Sequence, residues 1–180
     1  MDVEPSRKRA DRSKNLVGFR IDGVRYAVRI LRVREIINPL EIVPVPYAPE
    51  VILGVSDHRG EVVPVLDMRR RLGLDASKRT HKTKWLIVQS QERAVCLVVD
   101  SVTDVFGAEP SGRREVPRWN ESTSSRGIEA VYAHQGSLVF VIDVDQVVEP
   151  TATLDLAEIA HRANRERDDS TTIREQGRIE

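Results

Sequence analysis

Hydrophobic residues between positions 15 and 150 fall mostly in short runs rich in Val and Ile, separated by Gly, Pro, Asp and Asn. Such runs are typical of β-strands, because branched side chains suit a pleated surface and the intervening residues favour turns. Two hairpins are predicted, the first around the tight-turn dipeptide Asp22-Gly23. Their strands are expected at residues 16–21 and 24–30, and at residues 84–90 and 93–100.

Two further runs, residues 61–67 and 137–143, are almost continuously apolar. A strand with one face in water alternates, so these two are predicted to be buried on both faces. Each ends in an aspartate, Asp67 or Asp143, before a short helical stretch, and we interpret both carboxylates as helix caps rather than catalytic groups. The arginines at residues 69–71 predict a solvated basic face on the first of these helices.

The chain repeats itself. The stretch HRGEVVPVLD at residues 58–67 aligns with HQGSLVFVID at residues 134–143, and VREI at residues 33–36 corresponds to VTDV at residues 102–105. The order of elements is the same both times, so we expect two related halves. Each half is too small to bury a large core alone, and short antiparallel strands favour small barrels that share an interface.

The expected domain covers residues 15–150. One half is predicted to comprise roughly residues 15–80 with 140–150, and the other residues 81–139. Residues 1–14 are expected to form a flexible basic N-terminal tail. Residues 151–180 are expected to form a charged C-terminal tail that is partly helical or disordered.

Composition narrows the classes of function. The 28 basic and 28 acidic residues cancel, so no overall field attracts the molecule to nucleic acid or an anionic membrane. Aromatic residues make up only 4% of the chain, too few for the stacking platforms of single-strand binders. No apolar run approaches the roughly 20 residues of a membrane span. We expect a cytoplasmic protein with no direct membrane insertion and no nucleic-acid partner.

Catalytic chemistry is not indicated. The sequence has no Gly-rich phosphate loop, no nucleophile elbow and no metal-type spacing of Cys and His. Its one cysteine, Cys96, lies in a buried-strand pattern and is interpreted as a small core residue. We predict no catalytic residues and no cofactor. A metal site built from the repeated His58 and His134 remains a remote alternative.

An interaction surface is the remaining class of site. Two strips of apolar and acidic residues follow the hairpins: Val33, Glu35 and Ile36 after the first, and Val102, Asp104 and Val105 after the second. A groove between two small barrels would suit the apolar stripe of a partner helix. Arg59, in the turn before a buried strand, would lie at its rim, where a guanidinium can bind a carboxylate. The residues alone leave open whether Arg59 is instead an ordinary surface arginine.

The ordered succession YAVRILRVREI, VPVPYAPEVILGVSDHRGEVVPVLDMRRRLGL, VCLVVDSVTDV and GIEAVYAHQGSLVFVIDV closely resembles the CheW family of chemotaxis coupling proteins, over roughly residues 15–150. The resemblance implies two intertwined, SH3-like five-stranded barrels with short helices and no catalytic activity. It implies an adaptor that joins the cytoplasmic helical tip of a methyl-accepting chemoreceptor to the regulatory domain of a CheA-type histidine kinase. Such an adaptor is peripheral to the membrane, through receptor arrays.

The resemblance also assigns residues. Its receptor-contacting positions fall here on Val33, Glu35, Ile36, Arg59, Val102 and Val105. Its kinase-facing positions fall around Asp22, Gly54 and Gly60, each glycine of which is also explained by a tight turn.

This chain departs from the family pattern in two places. Asp57 and His58 stand where the family usually has Asn and an aliphatic residue, and Cys96 stands where it usually has Gly, beside the expected groove. Both departures affect the choice of receptor more than the fold. A CheW-like paralogue that scaffolds a different receptor and kinase pathway, for surface motility, development or second-messenger control, is the alternative function.

Overall fold

The computed structural model describes residues 14–76, 79–115 and 127–154. These ranges contain eleven strands, two short α-helices and three 3-10 turns of helix, so the mainly β prediction is confirmed. The strands are β1 (Asn15–Ile21), β2 (Val24–Arg29), β3 (Val33–Ile37), β4 (Ile52–His58), β5 (Glu61–Asp67), β6 (Lys84–Ser90), β7 (Arg93–Val99), β8 (Ser101–Gly107), β9 (Arg113–Arg114), β10 (Ile128–His134) and β11 (Ser137–Ile142). The helices are α1 (Met68–Arg71) and α2 (Val144–Val148), and the 3-10 segments are Ile30–Arg32, Pro110–Gly112 and Glu149–Thr153.

The strands form two sheets with the same internal plan. The first sheet has the order β8-β1-β2-β11-β10-β9 and the second the order β3-β6-β7-β5-β4. In each, a central hairpin pairs antiparallel with an outer strand on one side and parallel with a buried strand on the other, β11 beside β2 and β5 beside β7. These are the two strands predicted from continuous apolar runs. Burial on both faces holds for residues 63–67 of β5, whereas β11 leaves Leu138 53% exposed.

The sheets divide the chain differently from the predicted halves. The first sheet contains residues 15–29 and 101–142, and the second contains residues 33–99, so neither matches 15–80 with 140–150 or 81–139. Each sheet takes its hairpin from one sequence repeat and its other strands from the second repeat. This exchange pairs both edges of each hairpin, which would otherwise be exposed. The two barrels are intertwined for that reason.

Three apolar clusters hold the fold together. One lies inside the first barrel around Leu16 and Val139, and one inside the second around Trp85 and Val65. The largest combines strands of both sheets with the two helices, including Phe19 of β1, Leu97 of β7, Met68 of α1 and Val147 of α2. Because the largest cluster belongs to neither barrel alone, the barrels stabilise each other.

The two predicted caps are confirmed. Asp67 Oδ1 accepts hydrogen bonds from the backbone N–H of Arg69 at 2.9 Å and of Arg70 at 3.4 Å. Asp143 Oδ1 accepts one from the backbone N–H of Asp145 at 3.0 Å. Each carboxylate thus satisfies amide groups that a helix N-terminus leaves without partners.

The arginines of α1 form the predicted solvated basic face only in part, because Arg70 is 41% exposed but Arg69 only 18%. Arg69 makes two hydrogen bonds to Asp100, at 2.9 and 2.7 Å, and an ion pair with Asp22 at 3.2 Å. Arg70 donates to the carbonyl of Glu50, and Arg71 donates to carbonyls at the end of α2. These side chains connect separate elements, a role that depends on long-range contacts.

The folded domain extends past the predicted boundary at residue 150, because Thr151 and Leu154 are buried. The rest of the predicted tails, residues 1–13 and 155–180, lies outside the described residues. Among the helices that the structure describes, none is long and apolar enough to cross a membrane.

Candidate functional site

Arg59 occupies a strained position in the turn between β4 and β5. Its φ is 55° and that of Gly60 is 83°, which places both residues in the left-handed region. That conformation costs a residue with a Cβ about 1–2 kcal/mol and favours Gly, Asn or Asp. Asp57 stabilises the turn, because its Oδ1 accepts a hydrogen bond from the Gly60 N–H at 2.8 Å. The turn geometry does not require arginine, so a function of its side chain is the simplest reason for it.

Glu35 on β3 receives the Arg59 side chain. Arg59 Nη2 lies 2.8 Å from Glu35 Oε1, and His58 Nε2 lies 3.2 Å from Glu35 Oε2. The exposed fractions of the three side chains are 75% for Arg59, 33% for Glu35 and 14% for His58. The contact also brings β3 close to β4, the two outer strands of the second sheet. The Arg59 guanidinium is therefore exposed to solvent, and the Glu35 and His58 side chains beneath it are partly buried.

The first barrel has an equivalent arrangement with a different outer residue. His134 Nε2 lies 2.8 Å from Asp104 Oδ2, and Arg25 Nη2 lies 3.2 Å from Asp104 Oδ1. Here the arginine comes from β2 and is only 12% exposed, and Gln135 occupies the turn position equivalent to Arg59, with a φ of 49°. The duplicated acid and histidine join β3 to β4 in the second sheet and β8 to β10 in the first, and the exposed arginine of this arrangement is in the second.

The pKa of Asp104 supports its role in joining strands of the first barrel. Burial by itself would raise the pKa of Asp104, but hydrogen bonds from Thr103 and His134 and the charges of Arg25 and His134 together outweigh it. The net result is a pKa below the ordinary value for aspartate. Asp104 is therefore a charged anchor at neutral pH.

In each of the two predicted strips, one apolar residue is partly buried and the other is exposed. Val33 and Val102 are partly buried against the cluster shared by both barrels. Ile36 and Val105 are exposed. Each strip therefore has an inner residue fixed by the core and an outer residue available to a partner, with Glu35 and Asp104 between them.

The three residues predicted to face the kinase do not form one patch. Asp22 contacts Arg69, just after the end of β5, whereas Gly60 directly precedes the start of β5. A seven-residue strand separates these ends by roughly 20 Å. Gly54 is buried, with a φ of 144°, and a Cβ there would lie 2.2 Å from the carbonyl oxygen of Val43. Its observed role is to allow the backbone at Val43 to pair against β4.

The thiol and the repeated histidines have structural surroundings. Cys96 is buried inside the second barrel beside Val65 and Ile87, and this burial raises the pKa of its thiol to about 12. The interpretation of Cys96 as a core residue is confirmed. His58 and His134 lie in different sheets, each against its own carboxylate. Within the described ranges, no group of three or more His, Cys, Asp or Glu side chains is arranged to hold a metal ion.

Sequence reasoning did not assign partners to the histidines or to Arg25. The aligned repeats contained a usable signal, because both copies carry an acid in the strip and a histidine before the turn. Pairing the two would have predicted the contacts at Glu35 and Asp104. No signal in the sequence pointed to Arg25, whose contact depends on which hairpin enters which barrel.

Comparisons with known proteins agree with this architecture. The family model described as the CheW-like domain matches residues 15–151. The chemotaxis protein CheW of Rhizobium meliloti is 30% identical over 134 residues, which are 74% of this chain and 86% of that protein. Protein FrzA of Myxococcus xanthus is 32% identical over 84 residues, 47% of this chain and 52% of that protein.

The fold is also similar to a solved structure. The scaffolding protein TtCheW from Thermoanaerobacter tengcongensis superposes with a TM-score of 0.70 at 23% identity, covering 76% of this chain and 93% of that one. At this identity the likeness concerns the fold, and it agrees with the two intertwined barrels. With the family model covering most of the chain, this protein belongs to the CheW-like family.

Proposed function

We propose that this protein is a non-enzymatic adaptor that couples the cytoplasmic helical tip of a methyl-accepting chemoreceptor to the regulatory domain of a CheA-type histidine kinase. Membership of the CheW-like family supports the adaptor class. The observation that carries the receptor site is Arg59, an exposed arginine held in a strained turn and seated on Glu35.

The receptor surface proposed here combines Arg59 with the outer residues of the two strips, Ile36 and Val105. A receptor helix that carries an apolar stripe and a carboxylate would match these groups. The Arg59–Glu35 pair is exposed, and such pairs contribute only about 0–1 kcal/mol. Arg59 can therefore exchange Glu35 for a partner carboxylate at little cost. Val33, Glu35 and Val102 support the surface from beneath.

For the kinase side, Asp22 and Gly60 remain the proposed surface positions. They lie at opposite ends of β5, so a single kinase domain would need to extend along the strand to contact both. Gly54 would act indirectly, by allowing the segment around Val43 to lie against β4. Assembly with receptor and kinase would place the protein in the cytoplasm, at the membrane-associated array.

Reconstitution by co-sedimentation tests this proposal. The full chain is combined with a receptor cytoplasmic fragment and its kinase, and wild type is compared with Arg59→Glu. Reversal of the charge should lower receptor affinity at least tenfold, an effect of about 1.4 kcal/mol, while kinase binding persists. Arg113→Glu, at an exposed residue on the outer edge of the first sheet, is the matched charge control and should bind both partners normally.

Failure of wild type to enter a complex with either partner would contradict the adaptor function. Unfolding of Arg59→Glu, detected by circular dichroism, would instead show that Arg59 is structural. Retention of full receptor affinity by the folded variant would remove Arg59 from the receptor site.

A related adaptor role in another receptor and kinase pathway is the second candidate. The similarity to FrzA, a relative that is not named as a CheW protein, is the observation that supports this second candidate. Identification of the receptor and kinase that co-purify with the tagged protein from its own cells separates the two candidates.

A further inference from the structure

His58, which precedes the Arg-Gly turn, departs from the family pattern. Its side chain contacts Glu35, on which Arg59 of the proposed receptor site is seated. We infer that His58 is a positioning residue for Arg59, acting through Glu35. The inference rests on the proposed function in so far as Arg59 contacts the receptor. The inference itself concerns only how the Arg59 guanidinium is positioned.

The two oxygens of Glu35 are divided between its neighbours. His58 Nε2 lies 3.2 Å from Oε2, and Arg59 Nη2 lies 2.8 Å from Oε1. A carboxylate only accepts hydrogen bonds, so His58 donates through Nε2. An exposed Arg–Glu pair alone leaves both side chains many rotamers. A bond from a histidine that is only 14% exposed restricts Glu35, and so fixes the place where Arg59 is seated.

The second copy of the motif shows what the arrangement does without a receptor-facing arginine. His134 bonds Asp104 at 2.8 Å and stacks on Phe106 with 4.0 Å between ring centroids. The remaining oxygen of Asp104 is taken by Arg25, which is nearly buried. In the first barrel, Asp104, His134 and Arg25 all connect strands of the barrel. In the second barrel the same acid and histidine hold a side chain that is 75% exposed.

The variants His58→Gln and His58→Leu separate positioning from packing. Glutamine places an amide N–H near the position of Nε2, whereas leucine donates no hydrogen bond to Glu35. At pH 7.5 we expect receptor-fragment affinity to fall about fivefold in His58→Leu and to stay within about twofold of wild type in His58→Gln.

Two controls keep the result specific. His134→Gln changes the equivalent histidine of the first barrel and should keep the wild-type receptor affinity. In an Arg59→Ala background, His58→Leu should cause no further loss of affinity, because a positioning residue acts only through the group that it positions. A further loss in that background, or equal losses in His58→Leu and His58→Gln, would overturn the inference.

A measurement on the free protein separates this inference from the receptor proposal. Nitrogen-15 relaxation of the Arg59 Nε–H group should show an ordered side chain in wild type and His58→Gln, and a mobile one in His58→Leu. Equal mobility in all three proteins would overturn the positioning role, whatever the binding result. If the relaxation pattern holds while wild type binds no receptor fragment, the proposed function fails and the positioning role stands.

Discussion

At the scale of single residues, Arg59 has a left-handed backbone conformation that costs stability, and we propose that its side chain serves recognition. Arg59 and Gln135 both occupy the first, left-handed position of a two-residue turn that ends in glycine. Asp22 has the same conformation in the first hairpin, where its type suits the turn. A residue that suits its local conformation poorly, with its side chain exposed and its charge aimed at solvent, is better explained by binding than by folding.

This trade can be measured with asparagine, which tolerates the left-handed conformation. Gln135→Asn should raise the free energy of unfolding by about 0.5–1 kcal/mol, because it relieves strain and removes no charged pair. Arg59→Asn should gain slightly less, because it also loses the exposed contact with Glu35. Urea denaturation measures both variants. A loss of more than 1 kcal/mol in Arg59→Asn would indicate a structural role for Arg59.

At the scale of elements, partly buried ion pairs attach helices and turns to the sheets. Asp100 follows β7 and joins Arg69 of α1 to the first hairpin, because its Oδ2 also accepts a hydrogen bond from the Asp22 N–H at 2.8 Å. Burial alone would raise the pKa of Asp100, but the bonds from Arg69 and Asp22 and the charge of Arg69 outweigh it, so the pKa is lowered. Correspondingly, Asp100 raises the pKa of Arg69.

Removal of the Asp100 charge should therefore destabilise the protein in a pH-dependent way. Asp100→Asn leaves Arg69 with fewer partners and should cost about 1–3 kcal/mol at pH 7. Since the folded pKa of Asp100 lies below the unfolded value near 3.9, its contribution is present above about pH 4 and is lost as the pH falls through the folded value. Urea denaturation at pH 7, 4 and 3 should show the difference from wild type narrowing only at acid pH.

Asp104→Asn provides the comparison within the other carboxylate network, because the pKa of Asp104 is also lowered. It should show the same convergence with wild type below about pH 4. A difference that is constant over the whole range, in either variant, would show that the lost stability is due to packing and not to charge.

At the scale of the whole molecule, the exchange of hairpins makes the two barrels one cooperative unit. Each barrel needs strands from both repeats, and the largest apolar cluster lies between them. Neither half of the sequence contains all the strands of a barrel. The strips proposed to contact the receptor lie on β3 and β8, the equivalent outer strands of the two sheets, so their geometry depends on this exchange.

Fragments test that dependence. Residues 1–80 and 81–180, produced separately, should each lack the cooperative unfolding of the full chain, and a mixture should recover it in part. In the full chain with Trp119→Phe, fluorescence of Trp85, buried in the second barrel, should report the same transition as circular dichroism. Independent cooperative unfolding of either fragment would contradict the single-unit description.

The sequence by itself determined the features that depend on neighbouring residues. Alternation and turn dipeptides predicted the hairpins at Asp22-Gly23 and in residues 84–100, and the aspartates at positions 67 and 143 predicted the caps. The repeat identified both strips and drew attention to Arg59. These signals are local, because strand periodicity, turn conformation and capping involve residues a few positions apart.

Only the tertiary structure decided which repeat supplies each hairpin, which carboxylate binds each histidine and whether Gly54 is exposed. Glu35 contacts His58 across 23 positions and Asp104 contacts His134 across 30, and each contact forms only when strands that are not neighbours in their sheet come together. The sequence predicts a solvated Arg69, and only the fold places Asp100 beside it. Such contacts join strands that are distant in sequence, and the pairing that minimises exposed edges and unpaired buried charge is set by the whole fold.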